Sequence, residues 1–214
     1  MKYKAVMFDL DGTLLDTIDD LAESMNSVLA KLGYPQHSVD KYRHFVGDGM
    51  VKLAQRVLPD ADEDVVSTCL EAMREEYGRR WDLKTLPYPG IVQMLDELKE
   101  RGLILTVFSN KPDGFTKMVV SHYFGDERFR VVMGAKHFPT KPDPSGALHI
   151  SEQVGVTPEE FLYVGDTDTD MRTAVAAGMF PVGVAWGFRT EQELTQAGAE
   201  LIVRKPQELS DALG

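Results

Sequence analysis

Two carboxylates, Asp9 and Asp11, stand two residues apart directly behind the apolar run Val6-Met7-Phe8, and Gly12 and Thr13 follow them. In extended chain, positions i and i+2 project to the same side. Such a pair can share a divalent cation, or divide the work of nucleophile and proton carrier. A second apolar run ends in Val107-Phe108 and leads into Ser109-Asn110, a hydroxyl and an amide able to donate to a phosphate. A third, Leu162-Tyr163-Val164-Gly165, leads into Asp166, Asp168 and Asp170. Carboxylates gathered at strand ends repel one another unless a cation or altered protonation relieves them. An all-oxygen set selects a hard cation such as Mg²⁺. Lys141, in Thr140-Lys141-Pro142-Asp143-Pro144, adds a fixed positive charge for the same phosphate.

Each of these features has a plainer reading. Asp-Gly is a common turn pair, Asp166 to Asp170 could cap the following helix, Ser109-Asn110 likewise, and a lone lysine is usually solvated. Their occurrence together, in order, after three separate apolar runs favours chemistry. In open parallel sheets ligands bind outside the carboxyl ends of the strands, so the three places should converge on one crevice.

The elements that must position them follow from periodicity. A strand is expected over 4–8, a polar turn over 9–13, and a helix over 17–32, where Leu21, Met25, Val28, Leu29 and Leu32 recur at helical spacing before Gly33. Residues from about 38 to 80 continue in helical style, with apolar sets Val51, Leu53, Ala54, Val57, Leu58 and Val65, Val66, Leu70, Met73. This is a block of three or four helices. Pro87, Pro89 and Gly90 mark a boundary. Strands are expected at 103–108, 130–133, 161–164, 181–184 and 201–203, alternating with helices at 91–101, 113–123, 144–154, 169–177 and 191–197. That alternation predicts an α/β fold, a Rossmann-like doubly wound parallel sheet covered on both faces. The core comprises residues 1–15 and 87–214. An all-helical cap, 16–86, is inserted after the first strand and hinged by two linkers.

The bulk properties narrow the function. A chain of 214 residues with 43% hydrophobic composition can bury a sizeable core. Its formal net charge of -11 argues against nucleic acid and anionic membrane surfaces as partners. Cys69 is the single cysteine, which excludes an internal disulfide. The apolar run at the N-terminus is too short for a signal-peptide core, and no stretch approaches the ~20 apolar residues of a membrane span. A soluble cytoplasmic protein is expected. The five histidines show no zinc-ligand spacing.

The sequence resembles the haloacid dehalogenase superfamily, and within it the phosphoglycolate phosphatase group with a helical cap. The resemblance spans nearly the whole chain. Phe8 to Thr17, FDLDGTLLDT, is similar to the first motif; Ser109 to Lys111, SNK, to the second; Lys141 with KPDP to the third; and Gly165 to Asp170, GDTDTD, to the fourth. The subgroup rests on VGDG at Val46 to Gly49, VAWGF around Trp186 and GAELIV near the end.

The resemblance implies a phosphatase of small phosphorylated metabolites that works through an aspartyl-phosphate on Asp9. Asp11 would protonate the leaving oxygen and then deprotonate the attacking water. Asp9, the backbone carbonyl of Asp11, and Asp166 would bind Mg²⁺, with Asp170 holding the outer shell. Ser109 and Lys141 would grip the phosphoryl oxygens, Asn110 could donate to them, and Thr13 would support the nucleophile loop. Asp168 is read as an exposed helix start. In the cap, Arg43 could pair with a substrate carboxylate, and Gly47 and Gly49 permit close backbone approach.

The same residues discriminate among rival chemistries. Haloacid dehalogenases and phosphonoacetaldehyde hydrolases lack the second acid of the first motif, so Asp11 counts against both, and Lys52 is read as a surface lysine. Receiver domains are shorter and lack a cap. Pyrophosphate remains a possible substrate. Beta-phosphoglucomutases share all four motifs, and a phosphomutase is the alternative.

Overall fold

The computed structural model describes residues 2–213. Its central sheet has six strands: β1 (Ala5–Phe8), β4 (Ile104–Pro112), β5 (Val131–Ala135), β6 (Phe161–Gly165), β7 (Phe180–Val184) and β8 (Leu201–Val203). Their order is β5-β4-β1-β6-β7-β8, and every pairing is parallel. Side chains alternate between the two faces, as the period of a strand requires. Val6, Phe8, Leu105, Val107, Leu162 and Val164 pack on one side with helices α5 (Ile91–Glu100), α6 (Asp113–Phe124) and α10 (Pro206–Ala212). Ala5, Met7, Phe161 and Tyr163 pack on the other with α7 (Ser145–Val154) and α8 (Asp168–Ala177). Helix α9 (Glu191–Gln196) follows β7. Both faces being covered, the strands read as continuous apolar runs.

After β1 the chain leaves the sheet. It passes through β2 (Leu15–Asp16) into helices α1 (Ile18–Lys31), α2 (Val39–Phe45), α3 (Gly49–Val57) and α4 (Glu63–Gly78), and returns through β3 (Leu86–Pro87). The two short strands pair antiparallel, so both connections run through one ribbon. Asp20 of α1 fastens it: its buried carboxylate accepts from the Lys84 and Thr85 backbone N–H groups and from the Thr85 hydroxyl, the last at 2.8 Å.

The four helices bury their own core. Leu21, Met25, Val28 and Leu29 of α1 meet Leu53, Ala54 and Val57 of α3 and Cys69, Met73 and Tyr77 of α4. Each fully buried side chain of this size contributes roughly 1.5–3 kcal/mol. Among the described residues no helix is long and apolar enough to cross a membrane.

β4, the two ribbon strands and α10 differ from the expectation. β4 continues past Phe108 to Pro112, because the backbone ladder to β5 resumes at Pro112 opposite Ala135 although the side chains have turned polar. The two-residue strands of the ribbon are too short for any alternation to announce them. Helix α10 follows β8 with Pro206 in its first turn, and Leu209 and Ser210 bury against the core. Two apolar positions in so short a segment make no periodic signal.

Glu76 joins α4 to α1. Its carboxylate accepts from Lys31 at 2.7 Å, Arg80 at 2.8 Å and Ser27 at 3.2 Å. The Lys31 hydrogen bond is the main cause of a pKa held below the ordinary value of 4.5; burial opposes it, and Arg80 and Ser27 assist. A depressed carboxyl stabilises the fold above its unfolded pKa, and the contribution is lost as pH falls through the folded value. Wild type should therefore melt above Glu76→Gln at neutral pH, and the gap should close on acidification below about 4.5. Thermal melts of both proteins between neutral and acid pH check this; a gap that does not change with pH would sink the assignment.

Candidate active site

The carboxyl ends of β1, β4 and β6 open onto one crevice, and the residues behind them meet there. Asp9 follows β1, and its N–H donates to the Val164 carbonyl at 2.9 Å, which carries the ladder one residue beyond the strand. Asp166 follows β6, and Asp170 lies in the first turn of α8. One oxygen from each of these three buried carboxylates can be chosen so that all lie within 4.8 Å of one another. Lys141 comes from the loop before α7, and its ammonium stands 2.9 Å from Asp9 and 2.6 Å from Asp170, with a third contact of 3.2 Å to the Phe108 carbonyl.

Local structure explains how each acid is held. Thr13 donates its hydroxyl to Asp166 Oδ1 at 2.9 Å, and the Phe188 N–H donates to Asp166 Oδ2 at 2.9 Å. Thr13 thus supports Asp166 rather than touching Asp9. Asp170 is the N3 residue of a capping box: its Oδ2 accepts the N–H and hydroxyl of Thr167, the N-cap of α8. The plain capping role and the chemical role fall on one residue, because Oδ1 remains for Lys141. Asp168 turns outward instead and pairs with Arg172 at 2.9 Å.

Glycine makes room for the cluster. Gly12 has φ +88°, and a Cβ there would lie 2.3 Å from Asp166 Oδ2. A Cβ at Gly187 would lie 2.3 Å from Asp166 Cβ. The Asp11-Gly12 pair is therefore a turn and also a cradle.

The electrostatics of the trio are unfavourable without a cation. Burial, then the neighbouring Asp170, raises the Asp9 pKa from 3.8 to about 7, although Lys141 pulls the other way. Asp166 is pushed well above the carboxylate range by burial and by Asp170 and Asp9. Burial alone would lower the Lys141 pKa, but Asp170 and Asp9 outweigh it and raise it well above 10.5. One lysine against three acids leaves negative charge uncompensated. Asp9 Oδ1 forms its ion pair with Lys141 without hydrogen-bond alignment and has no other partner among the described residues. Three buried acids with a single lysine among them, a cradle of glycines and an all-oxygen donor set fit a hard divalent cation.

Beside the trio lies a cavity of about 40 Å³. Its floor is Asp9, Asp11, Ser109, Asn110 and Lys111, and its roof is Leu21, Val46, Gly47, Gly49, Met50 and Leu53 from the helical unit. Ser109 is buried with its Oγ accepting the Lys111 N–H at 3.2 Å, which leaves its own proton free to donate. Asn110 plays a different part from donation to phosphate. Its amide protons go to the Gly47 carbonyl at 3.1 Å and the Lys141 carbonyl at 3.2 Å, and its Oδ1 accepts the Lys141 N–H at 2.8 Å. It thereby ties the lysine loop to the roof. A Cβ at Gly49 would sit 3.1 Å from the Asn110 carbonyl, and Gly47 has φ +112°. Glycines at 47 and 49 let this loop descend on the floor.

Arg43 does not line the cavity. Its guanidinium donates to the Gly187 carbonyl at 3.3 Å, one of several bonds that fasten the roof to the sheet domain. Thr169 donates to Asp48 at 2.6 Å, and Arg189 donates to the carbonyls of Arg43 and of Val46, the latter at 3.0 Å. The identity of residue 43 was visible in the sequence, but its facing was not. Lys52 and His44 are exposed. Trp186 packs in the core and also donates its indole N–H to the Thr13 carbonyl at 2.9 Å.

One residue of the crevice carried no role in the sequence reading. Lys111 is buried, and its ammonium reaches Asp11 Oδ1 at 2.8 Å and the Tyr77 hydroxyl of α4 at 2.7 Å. The signal was present in the SNK motif, but a lysine three residues past an apolar run gives no hint that the strand continues and turns it inward.

A family model described as "Haloacid dehalogenase-like hydrolase" matches residues 6–184. The phosphoglycolate phosphatase of Pseudomonas putida is 32% identical over 207 residues, which is 94% of this chain and 76% of that protein. The phosphoglycolate phosphatase of Thiobacillus denitrificans is 32% identical over 206 residues, 94% of this chain and 91% of that one. Among solved structures, that of a predicted phosphoglycolate phosphatase from Haemophilus somnus superposes with a TM-score of 0.94 at 27% identity, covering 100% of this chain and 99% of the other. A Lactobacillus delbrueckii subsp. bulgaricus chain gives a TM-score of 0.94 at 30% identity, with the same coverage.

If the trio holds a divalent cation, the ion must stabilise the folded state by mass action, by about 2.7 kcal/mol at a hundredfold excess over its dissociation constant. Titrating Mg²⁺ into the metal-free protein should raise the melting temperature, and Asp166→Asn should abolish the rise. An equal rise in the variant would place the ion elsewhere.

Proposed function

We propose that this chain, which belongs to the haloacid dehalogenase-like hydrolase family, is a magnesium-dependent phosphatase of small, phosphoglycolate-like phosphomonoesters that works through an aspartyl-phosphate on Asp9. The observation that carries the reading is Asp9 itself: a buried carboxylate whose Oδ1 stands 2.9 Å from the Lys141 ammonium, on the floor of a cavity shared with Asp11.

In the first step an Asp9 oxygen attacks phosphorus in line, and the bond to the leaving alcohol breaks. Asp11, two residues on and lining the same cavity, gives that oxygen its proton. In the second step Asp11 takes a proton from water, which attacks the phosphorus, releases phosphate and restores Asp9. The Ser109 hydroxyl and the Lys141 ammonium hold the phosphoryl oxygens as charge shifts. Asp9, Asp166 and the Asp11 carbonyl would hold Mg²⁺, which when bound neutralises charge on those oxygens. Both Asp170 oxygens already accept hydrogen bonds, which suits it to the outer shell.

The roof supports a small substrate. A cavity of about 40 Å³ has room for roughly three waters at ~10–15 Å³ each. The four helices act as a cap that must lift to admit substrate, and its fastenings at Gly47, Asp48 and Arg43 are polar bonds that water can replace. Leu21, Val46, Met50 and Leu53 offer no hydrogen-bonding side chain to a sugar, and hydroxyls buried against them would go unpaired. The roof therefore favours a phosphatase of a compact acid over a phosphomutase of sugar phosphates.

Phosphate release from a panel of phosphomonoesters, phosphoglycolate among them, with and without Mg²⁺, tests the proposal. Turnover should require the metal, and Asp9→Asn should reduce it by more than about 10⁴-fold. Turnover that survives the substitution, or its absence across the whole panel, would overturn the reading.

A further inference from the structure

We infer that Lys111 is the receptor for a carboxylate on the leaving group, and so sets the substrate class as phosphomonoesters whose alcohol carries an acid on the adjoining carbon. The inference rests on the phosphatase reading for the identity of the leaving group.

The cavity would otherwise reject such a molecule. Two of its lining residues, Asp9 and Asp11, are carboxylates, and its roof is apolar. Lys141 does not line the cavity: its ammonium stands against Asp9, Asp170 and the Phe108 carbonyl, on the phosphoryl side. Lys111 is the one cationic side chain among the residues that line the cavity. An anion brought into this space without a cation would be both desolvated and repelled.

Lys111 is also in the right half of the site. The phosphoryl group belongs with Asp9, Ser109 and Lys141, whereas the leaving oxygen belongs with Asp11. Lys111 stands 2.8 Å from the Asp11 carboxylate, hence on the leaving-group side. An ammonium has three protons. Among the described residues Asp11 and the Tyr77 hydroxyl accept two, and one remains for an incoming oxygen.

The surroundings hold the charge in place. Tyr77 comes from α4 in the cap, and its hydroxyl meets the ammonium at 2.7 Å. Phe115 packs edge-on against the Tyr77 ring at 5.4 Å. Tyr77 therefore positions Lys111 from above while Asp11 positions it from below. A buried lysine is costly to keep where only packing is needed, and a receptor for an anion accounts for its presence. The carboxylate partner assigned to Arg43 by the sequence reading thus passes to a residue that reaches the cavity.

The test compares phosphoglycolate with 2-hydroxyethyl phosphate, which replaces the carboxylate by a neutral alcohol. Wild type should favour phosphoglycolate in kcat/KM. Lys111→Met should lose about 10- to 100-fold on phosphoglycolate and several-fold less on the neutral ester, whose remaining turnover also reports that the variant is folded. Tyr77→Phe should lose an intermediate part of the same selectivity, through KM more than kcat. Equal losses on both esters, or selectivity unchanged in both variants, would overturn the inference. Calorimetric binding of both esters to Asp9→Asn and to the Asp9→Asn, Lys111→Met double variant separates the two readings. Carboxylate selectivity in binding that vanishes with Lys111 would uphold the receptor even if wild type released no phosphate. No selectivity in binding would reject the receptor even if wild type were an active phosphatase.

Discussion

Lys141 places its ammonium 2.9 Å from Asp9 and 2.6 Å from Asp170 in a buried crevice, with Asp166 completing a trio of buried acids. Like charges at such range in a desolvated place strain the folded state, and the surrounding structure is arranged around bearing that strain. Thr13, Phe188, Thr167 and the glycines at 12, 165 and 187 hold the carboxylates where repulsion alone would scatter them. The sheet supplies the rigidity: β1 and β6 are adjacent, and Asp9 and Asp166 are fixed by their register. On the proposed reading, a divalent cation would turn this strained cluster into a binding site and free the same acids for phosphoryl chemistry.

The helical unit completes the site without joining that cluster. It contributes an apolar roof and, from α4, the hydroxyl that meets Lys111. Asn110 links the two halves, bonding both the Lys141 loop and the Gly47 carbonyl. The polar fastenings between roof and floor are only partly buried, whereas the Asp20 clasp on the ribbon is buried.

Much of this was legible in the chain. Parallel strands covered on both faces must be apolar throughout, so their ends show as abrupt changes to polar residues. Those changes located Asp9, Ser109 and Asp166 before any fold was known. The helices of the inserted unit were equally plain, since α1 and α4 bury one stripe at helical spacing. The ribbon strands and α10 were not legible, being too short to carry a period. Nor was the true end of β4, where backbone pairing outlasts the apolar run.

The sequence by itself determined the kinds of chemistry available and the strand ends that deliver them, because residue type and local periodicity are properties of short segments. Only the tertiary structure decided which neighbours each polar group meets. Arg43 was a fair candidate for a substrate carboxylate until the Gly187 carbonyl claimed it. Asn110 was a donor to phosphate until Gly47 and Lys141, far away in the chain, took both its protons. Lys111 had no stated role until α4 and Asp11 closed on it from opposite sides. A hydrogen bond or ion pair joins groups brought together by packing, and no pattern within either segment records its partner.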